Sequence, residues 1–181
     1  MDYPGTLSKL IAPDLALGWQ SGADLTFTVR PISESGQMER TWNGKKVDLG
    51  SPEFRLYSVR ISSGSNEYRM PALSRMWPGM VFSIVPPLPL GDVIPTGSQS
   101  RTLERTPYAP SVRCLTLGFE DVPFALDGDI LTLSAPAVAP VRIYYQPMLQ
   151  VVVTEPWEAT LREQAADVSW SLTCEEVGGT L

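Results

Sequence analysis

The feature that most constrains the fold is the β-forming stretch at residues 141–177. Its first part contains the segments VRIYY and LQVVV, which are rich in the β-branched and aromatic residues that favour strands. Its last part alternates Trp170, Leu172 and Cys174 with serine and threonine, which gives one apolar and one polar face. The segment between them is acidic and contains Pro156, so we expect it to cross between strands. The stretch therefore predicts two strands of a sheet.

Short strand patterns of the same kind recur along the whole chain. They are bounded by turn signals at Asn43-Gly44, Trp77-Pro78-Gly79 and Asp127-Gly128, and we expect the first and third to close β-hairpins. About eight to ten strands are expected from this spacing. Residues 157–168 alone have apolar side chains three or four positions apart, as a helix requires. The predicted fold is all-β, an antiparallel sandwich or barrel with at most one short helix. The strand patterns are found in the segments LTFTV, FRLYSVRI, MVFSIV and VRCLTLGF.

The length of 181 residues fits a single β-rich domain that covers positions 1–181. Residues 86–110 differ in composition, because they hold six of the seventeen prolines and show little periodicity. Long irregular loops in compact domains are usually functional or are ordered by a partner, so we predict a surface arm here. The chain has eleven arginines and three lysines, a ratio that favours protein interfaces, although genome composition explains it equally well. The predicted interface residues are Trp42, Trp77, Arg101, Arg105 and Tyr108.

Most hydrolase mechanisms are excluded by the absence of histidine from the sequence, which leaves a pair of carboxylates, as in glycosidases, as the remaining enzymatic route. Serine and cysteine hydrolase triads, histidine-bearing zinc sites and histidine bases all need that residue. Neither a P-loop nor a glycine-rich dinucleotide motif is present. The acidic pairs at 120–121, 127/129 and 175–176 are explained by a strand end, a turn and a solvated terminus. We therefore predict that the chain is not an enzyme and has no catalytic, cofactor-binding or metal-binding residue.

The net charge and the cysteine content limit which partners the chain can bind and in which compartment it folds. A net charge of −6 opposes a phosphate-binding surface, so nucleic acid is not expected as a partner. No apolar run approaches the roughly 20 residues that span a bilayer. Cys114 and Cys174 are predicted to be buried reduced thiols, while a disulfide would need adjacent strands and an oxidising compartment. The first residues lack a signal-peptide pattern, so we expect folding in the cytoplasm.

The five tryptophans leave a second function open. Tryptophan on a β-sandwich stacks on sugar rings or peptides through its apolar faces, although core packing is the commoner use. Trp42 at a hairpin tip and Trp77 at a turn are the two that we expect to be exposed. The alternative prediction is therefore a carbohydrate- or peptide-binding, receptor-recognising module.

The chain resembles the small tail and baseplate proteins of tailed bacteriophages. The resemblance lies in the general character of the sequence. The segments that carry it are Trp77-Pro78-Gly79, Tyr144-Tyr145-Gln146-Pro147 and a C-terminal strand that runs from Trp170 to the paired Glu175 and Glu176. It covers mainly residues 54–85 and 141–177 and transfers no functional residue. It implies a virion structural subunit that folds in the host cytoplasm and assembles in the tail with copies of itself and with neighbouring tail proteins.

Overall fold

The structure is a computed structural model that describes residues 10–16, 25–32, 36, 38–50, 55–63, 71–163 and 167–178. Within these residues the chain forms fourteen strands and no helix of seven or more residues. The strands pair in antiparallel fashion in open sheets, without a closed barrel, so the all-β prediction is confirmed. The strands are β1 (Leu25–Pro31), β2 (Met38–Arg40), β3 (Lys46–Asp48), β4 (Tyr57–Ser63), β5 (Val81–Ile84), β6 (Leu90–Ile94), β7 (Ser100–Thr102), β8 (Arg113–Leu115), β9 (Phe124–Asp127), β10 (Ile130–Leu133), β11 (Val141–Tyr145), β12 (Leu149–Val153), β13 (Glu158–Arg162) and β14 (Asp167–Glu176).

The described residues fall into two compact units. Unit one consists of those within 1–11 and 84–149, and unit two of those within 12–83 and 150–181. Three short 3₁₀ turns connect strands, at Pro13–Leu15 and Leu73–Arg75 in unit two and at Ala109–Ser111 in unit one. No helix of the described residues is long and apolar enough to cross a membrane.

Unit two is built on a sheet with the strand order β1-β4-β14-β12-β5, in which β13 also pairs with β14. Its centre is the β4–β14 ladder, where Ile61 lies opposite Leu172 and Val59 opposite Cys174. All four side chains are buried, so the predicted apolar face of the Trp170 to Cys174 segment is confirmed. Near the end of β14, a carboxylate oxygen of Glu176 accepts a hydrogen bond from the Tyr57 backbone N–H at 3.1 Å.

The one short helix that the sequence allowed, at residues 157–168, is not formed by the described residues of this segment, 157–163 and 167–168. This segment forms β13 and the start of β14, with Ala159 opposite Trp170 and Leu161 opposite Val168. Val168 is buried while Leu161 is exposed, so the apolar residues do not share one buried face. Helices of this length depend on burying such a face, and the ladder with β14 supplies backbone partners without one.

Unit one contains two three-stranded sheets, in the orders β6-β11-β8 and β7-β10-β9, which share one hydrophobic core. Strand β11 alternates between this core and the opposite side of its sheet. Val141, Ile143 and Tyr145 are buried, while Arg142 and Tyr144 lie on the other side. The core also receives Leu131 and Leu133 from β10.

Residues 86–110, predicted as a surface arm, contain β6 and β7 and take part in the core of unit one. Ile94 and Leu103 are buried there, and the Leu103 N–H donates to the Asp129 carbonyl at 2.8 Å. All six prolines lie outside the two strands, with Pro95 alone between them, so the segment holds short strands where the sequence pattern indicated one irregular loop.

Candidate functional site

The predicted hairpin at Asn43-Gly44 is confirmed and presents Trp42 at its tip. β2 and β3 pair from Met38↔Asp48 to Arg40↔Lys46 and are joined through a loop whose third residue, Gly44, has φ of 81°. This conformation is left-handed and suits glycine. The Trp42 side chain is 98% exposed. We call residues 38–49 the Trp42 hairpin.

The loop of the Trp42 hairpin is held by its own hydrogen bonds. The Thr41 N–H donates to the Lys45 carbonyl at 2.9 Å, and the Gly44 N–H donates to the Thr41 carbonyl at 2.8 Å. The Thr41 hydroxyl donates to the Lys45 carbonyl at 3.0 Å, and the Arg40 guanidinium to the Gly44 carbonyl at 3.0 Å. The indole is therefore displayed on an ordered turn, which lowers the entropy lost on binding.

The strands of the Trp42 hairpin expose further apolar and cationic groups. Met38 and Leu49 are exposed, and Arg40, Lys45 and Lys46 place three cations next to the tip. Among the described strands, β2 and β3 pair with each other and with no third strand. An isolated two-stranded hairpin is marginally stable in water, so a partner that covered it would stabilise it.

Trp77 lies at the predicted turn, which is also confirmed. Gly79 has φ of 92°, and its N–H donates to the Val153 carbonyl at 2.8 Å. The Trp77 indole N–H donates to the Ser74 carbonyl at 3.1 Å, which fixes the ring while 68% of the side chain stays exposed. Neither Trp42 nor Trp77 makes a ring contact with another described residue.

The other three predicted interface residues make contacts inside unit one. Arg101 on β7 donates from Nε to the Asp92 carboxylate at 2.8 Å, and this hydrogen bond raises the pKa of Arg101. Arg105 is half-buried and donates to the Glu104 carbonyl at 3.1 Å. The Tyr108 N–H donates to the Gln146 carbonyl at 2.8 Å. The first two contacts lie within residues 86–110, and the third joins this segment to Gln146. A role for the three residues in binding a partner stays a prediction.

A second exposed aromatic surface was missed in the sequence. On the β6-β11-β8 sheet, Arg142 lies opposite Val93 and Leu115, and Tyr144 lies opposite Gly91 and Arg113. The Phe119 ring lies over Arg142, with 6.0 Å between the guanidinium carbon and the ring centroid. These seven residues form what we call the outer face. The segment LGFE indicated only the end of a strand, and the pairing register that gathers the seven residues is a tertiary feature.

The two cysteines are free thiols, and both are buried. Burial raises the pKa of Cys114 to about 11 and that of Cys174 to about 12. A thiol with such a pKa is protonated at neutral pH and is a poor nucleophile. No group of three or more histidine, cysteine or acidic residues in the described part of the chain is arranged to hold a metal ion.

The acidic pairs singled out in the sequence lie in hydrogen bonds or turns of the fold. Asp121 accepts hydrogen bonds from Arg113 at 3.0 and 3.3 Å, and Glu176 accepts one from the Tyr57 backbone. The turn that joins β9 to β10 confirms the second predicted hairpin, with Ile130 opposite Asp127 and Gly128 at φ of 60°. Its two central residues are Gly128 and Asp129, and glycine at the first central position is typical of a type II′ turn.

Comparison of the chain with protein-family models and with curated proteins gave no match.

Proposed function

We propose that this chain is a structural subunit whose activity is to bind other protein chains. In the setting that the resemblance implies, it assembles in the tail or baseplate of a bacteriophage virion with copies of itself and with neighbouring tail proteins. The observation that carries the proposal is Trp42, an almost fully exposed tryptophan on a turn held by internal hydrogen bonds. Tryptophan and arginine are the residues most enriched at the energetic centres of protein interfaces.

The surroundings of Trp42 support the same function. Met38 and Leu49, at the end of the Trp42 hairpin away from its tip, are exposed as well, and Arg40 adds a planar cation. Removing large apolar side chains from water is favourable, so a hairpin that exposes three of them is suited to contact a partner. A neighbouring subunit that covered the hairpin would remove this surface from water.

The proposal is tested by measuring the mass of the full chain, alone and mixed with neighbouring virion proteins, by sedimentation velocity. We expect Trp42→Ala to weaken association at least about tenfold, the size of effect seen at interface centres. Leu161→Ala is the matched control, since it removes an exposed apolar side chain from a strand of unit two outside the Trp42 hairpin. If Trp42→Ala associates as strongly as the wild type, the Trp42 hairpin is not the interface, and if the wild-type chain associates with nothing, the function is not assembly.

The second candidate is a carbohydrate- or peptide-binding module. It is favoured by the fixed Trp77 ring, because a ring held by its indole N–H presents an ordered stacking face. Under this candidate, Trp77→Ala abolishes ligand binding and leaves the sedimentation behaviour unchanged.

A further inference from the structure

Two turns, residues 42–44 and 117–119, have the same backbone hydrogen bonds but a different type of residue in the left-handed position. In each, a threonine N–H donates to the carbonyl four residues later, Thr41 to Lys45 and Thr116 to Glu120, both at 2.9 Å. In each, the third loop residue donates back to that threonine and is left-handed. This residue is Gly44 in the first turn, but Phe119, with φ of 64°, in the second.

Phe119 stands where the backbone favours glycine. A bulky side chain is disfavoured in the left-handed region, because its Cβ approaches the following carbonyl. Packing offsets little of this strain, since 68% of the side chain is exposed. Residues held in such conformations concentrate at binding and catalytic sites, so the surface around Phe119 is a candidate binding surface.

The contact that Phe119 makes inside the chain is with Arg142. The guanidinium lies over the ring on the outer face, which fixes the cation in place. Within the described residues, Arg142 has neither an ion pair nor a hydrogen bond from its guanidinium. Its N–H donors form a planar fork that matches a carboxylate or a sulfate.

Tyr144 supplies a flat aromatic surface beside this cation. A Cβ built on Gly91 would lie 4.0 Å from Cε1 of Tyr144, so the ring crosses the glycine of the neighbouring strand. The side chain is 37% exposed. Next to it, the Arg113–Asp121 pair offers both hydrogen-bond donors and acceptors. Aromatic faces carry partial negative charge and attract the polarised C–H groups of a sugar ring.

We propose that the outer face binds an acidic saccharide, with the sugar ring stacked on Tyr144 and its carboxylate or sulfate bound by Arg142. Residues two apart on one strand lie about 7 Å from each other, so a ring on Tyr144 carries an acidic substituent toward Arg142. The Arg113–Asp121 pair then binds ring hydroxyls. This site is separate from the Trp42 hairpin and does not depend on the assembly function.

Charge and size favour a saccharide over a macromolecule. A surface that binds nucleic acid neutralises several phosphates at once. The outer face has two arginines, and among the described residues Arg113 is paired with Asp121 while Arg142 has no carboxylate partner. One unpaired cation is too few for such a surface. A stable protein interface covers about 800 Å² on each partner. The outer face is three strands wide, and its strands have five, five and three residues. This area suits one or two sugar rings.

The test is calorimetric titration of the full chain with three probes: an oligogalacturonate, its methyl-esterified form and a heparin-derived oligosaccharide. We expect at least one acidic probe to bind, and the esterified form to bind about tenfold more weakly than the free acid, as the loss of one charge-assisted hydrogen bond predicts. Arg142→Met keeps an apolar contact with Phe119 and should remove the preference for the acid. Tyr144→Ala should weaken both uncharged and charged binding, while Tyr144→Phe should retain it.

Several results would overturn the proposal. They are the failure of both acidic probes to bind, equal binding of the acid and its ester, and loss of binding in Trp77→Ala but not in Tyr144→Ala. A change of sedimentation behaviour in Arg142→Met without a change in sugar affinity would assign the outer face to a protein partner instead. Trp42→Ala should leave saccharide binding unaltered, so the failure of either proposal is recognised separately.

Discussion

At the scale of single residues, the left-handed Phe119 shows how a local preference is overridden. The sequences TWNGK and TLGFE form the same three-residue loop, but glycine occupies the left-handed position in only one of them. The loop closes because β8 and residue 121 must pair, as the bridge between Leu115 and Asp121 shows. The pattern VRCLTLGF predicted a strand that continues to Phe119, whereas β8 ends at Leu115 and Phe119 takes the left-handed conformation.

Replacing Phe119 with glycine should therefore stabilise the protein. Relief of the left-handed strain contributes about 1 to 2 kcal/mol, and the loss of a mostly exposed ring with one cation–π contact costs about 0.5 to 1 kcal/mol. We expect a net gain between zero and about 1.5 kcal/mol, measured as a higher urea midpoint with an unchanged slope. Gly44→Ala is the matched control and should lower stability, because it puts a Cβ into the same conformation. A lower midpoint for Phe119→Gly would show that the ring contributes more to folding than its exposure indicates.

At the scale of elements, the predictions that were confirmed depend on patterns within a few consecutive residues. Alternation in LTFTV and in SWSLTC gave β1 and β14, and both glycine-containing hairpins were located correctly. The prediction for residues 157–168 failed because their apolar spacing does not by itself distinguish a helix from strands, and only pairing with β14 decides between them. β6 was missed because Pro89 and Pro95 flank its five residues, and β7 was missed because it has only three residues.

The central ladder of unit two gives a prediction at this scale. Ile61 lies opposite Phe27 on β1 and Leu172 on β14, and its side chain is completely buried. Ile61→Ala should destabilise unit two by about 2 to 5 kcal/mol, from lost burial and an unfilled cavity. Arg60→Ala, on the exposed face of the same strand, should change stability by less than about 0.5 kcal/mol. Equal effects in urea unfolding would contradict the assignment of the two faces of β4.

At the scale of the whole molecule, each unit carries one buried thiol. Cys114 belongs to the core of unit one, and Cys174 lies opposite Val59 in unit two. The two cysteines are 60 positions apart in the sequence. The sequence did not predict two units, because residues 84–149 of unit one are inserted between the two segments of unit two and no linker marks the boundary. Each thiol can therefore report on the stability of its own unit.

The raised thiol pKa values predict a loss of stability at alkaline pH. An unfolded cysteine loses its proton near its ordinary pKa of 9.0, while the folded thiols hold theirs to about 11 in Cys114 and about 12 in Cys174. Because the unfolded state then binds fewer protons, their contribution is fully present below pH 9 and is lost as the pH rises from 9 toward 11 and 12. Each pKa unit corresponds to about 1.4 kcal/mol, which gives a loss of about 3 kcal/mol for Cys114.

Urea unfolding at pH 8, 9.5 and 10.5, with a reductant present, measures this loss. Burial also raises the pKa of Tyr145 in unit one, so this tyrosine adds to the loss of stability at alkaline pH. The contribution of the Cys114 thiol is therefore the difference in unfolding free energy between the wild type and Cys114→Ala at each pH. The alanine variant should be less stable at pH 8, because it leaves a small cavity, but its stability should fall less steeply with pH. Cys174→Ala should flatten the pH dependence of unit two in the same way. If neither variant changes the slope, the thiols are solvated well enough in the folded protein to ionise at their ordinary pKa, and the packing around β8 and β14 is looser than their burial implies.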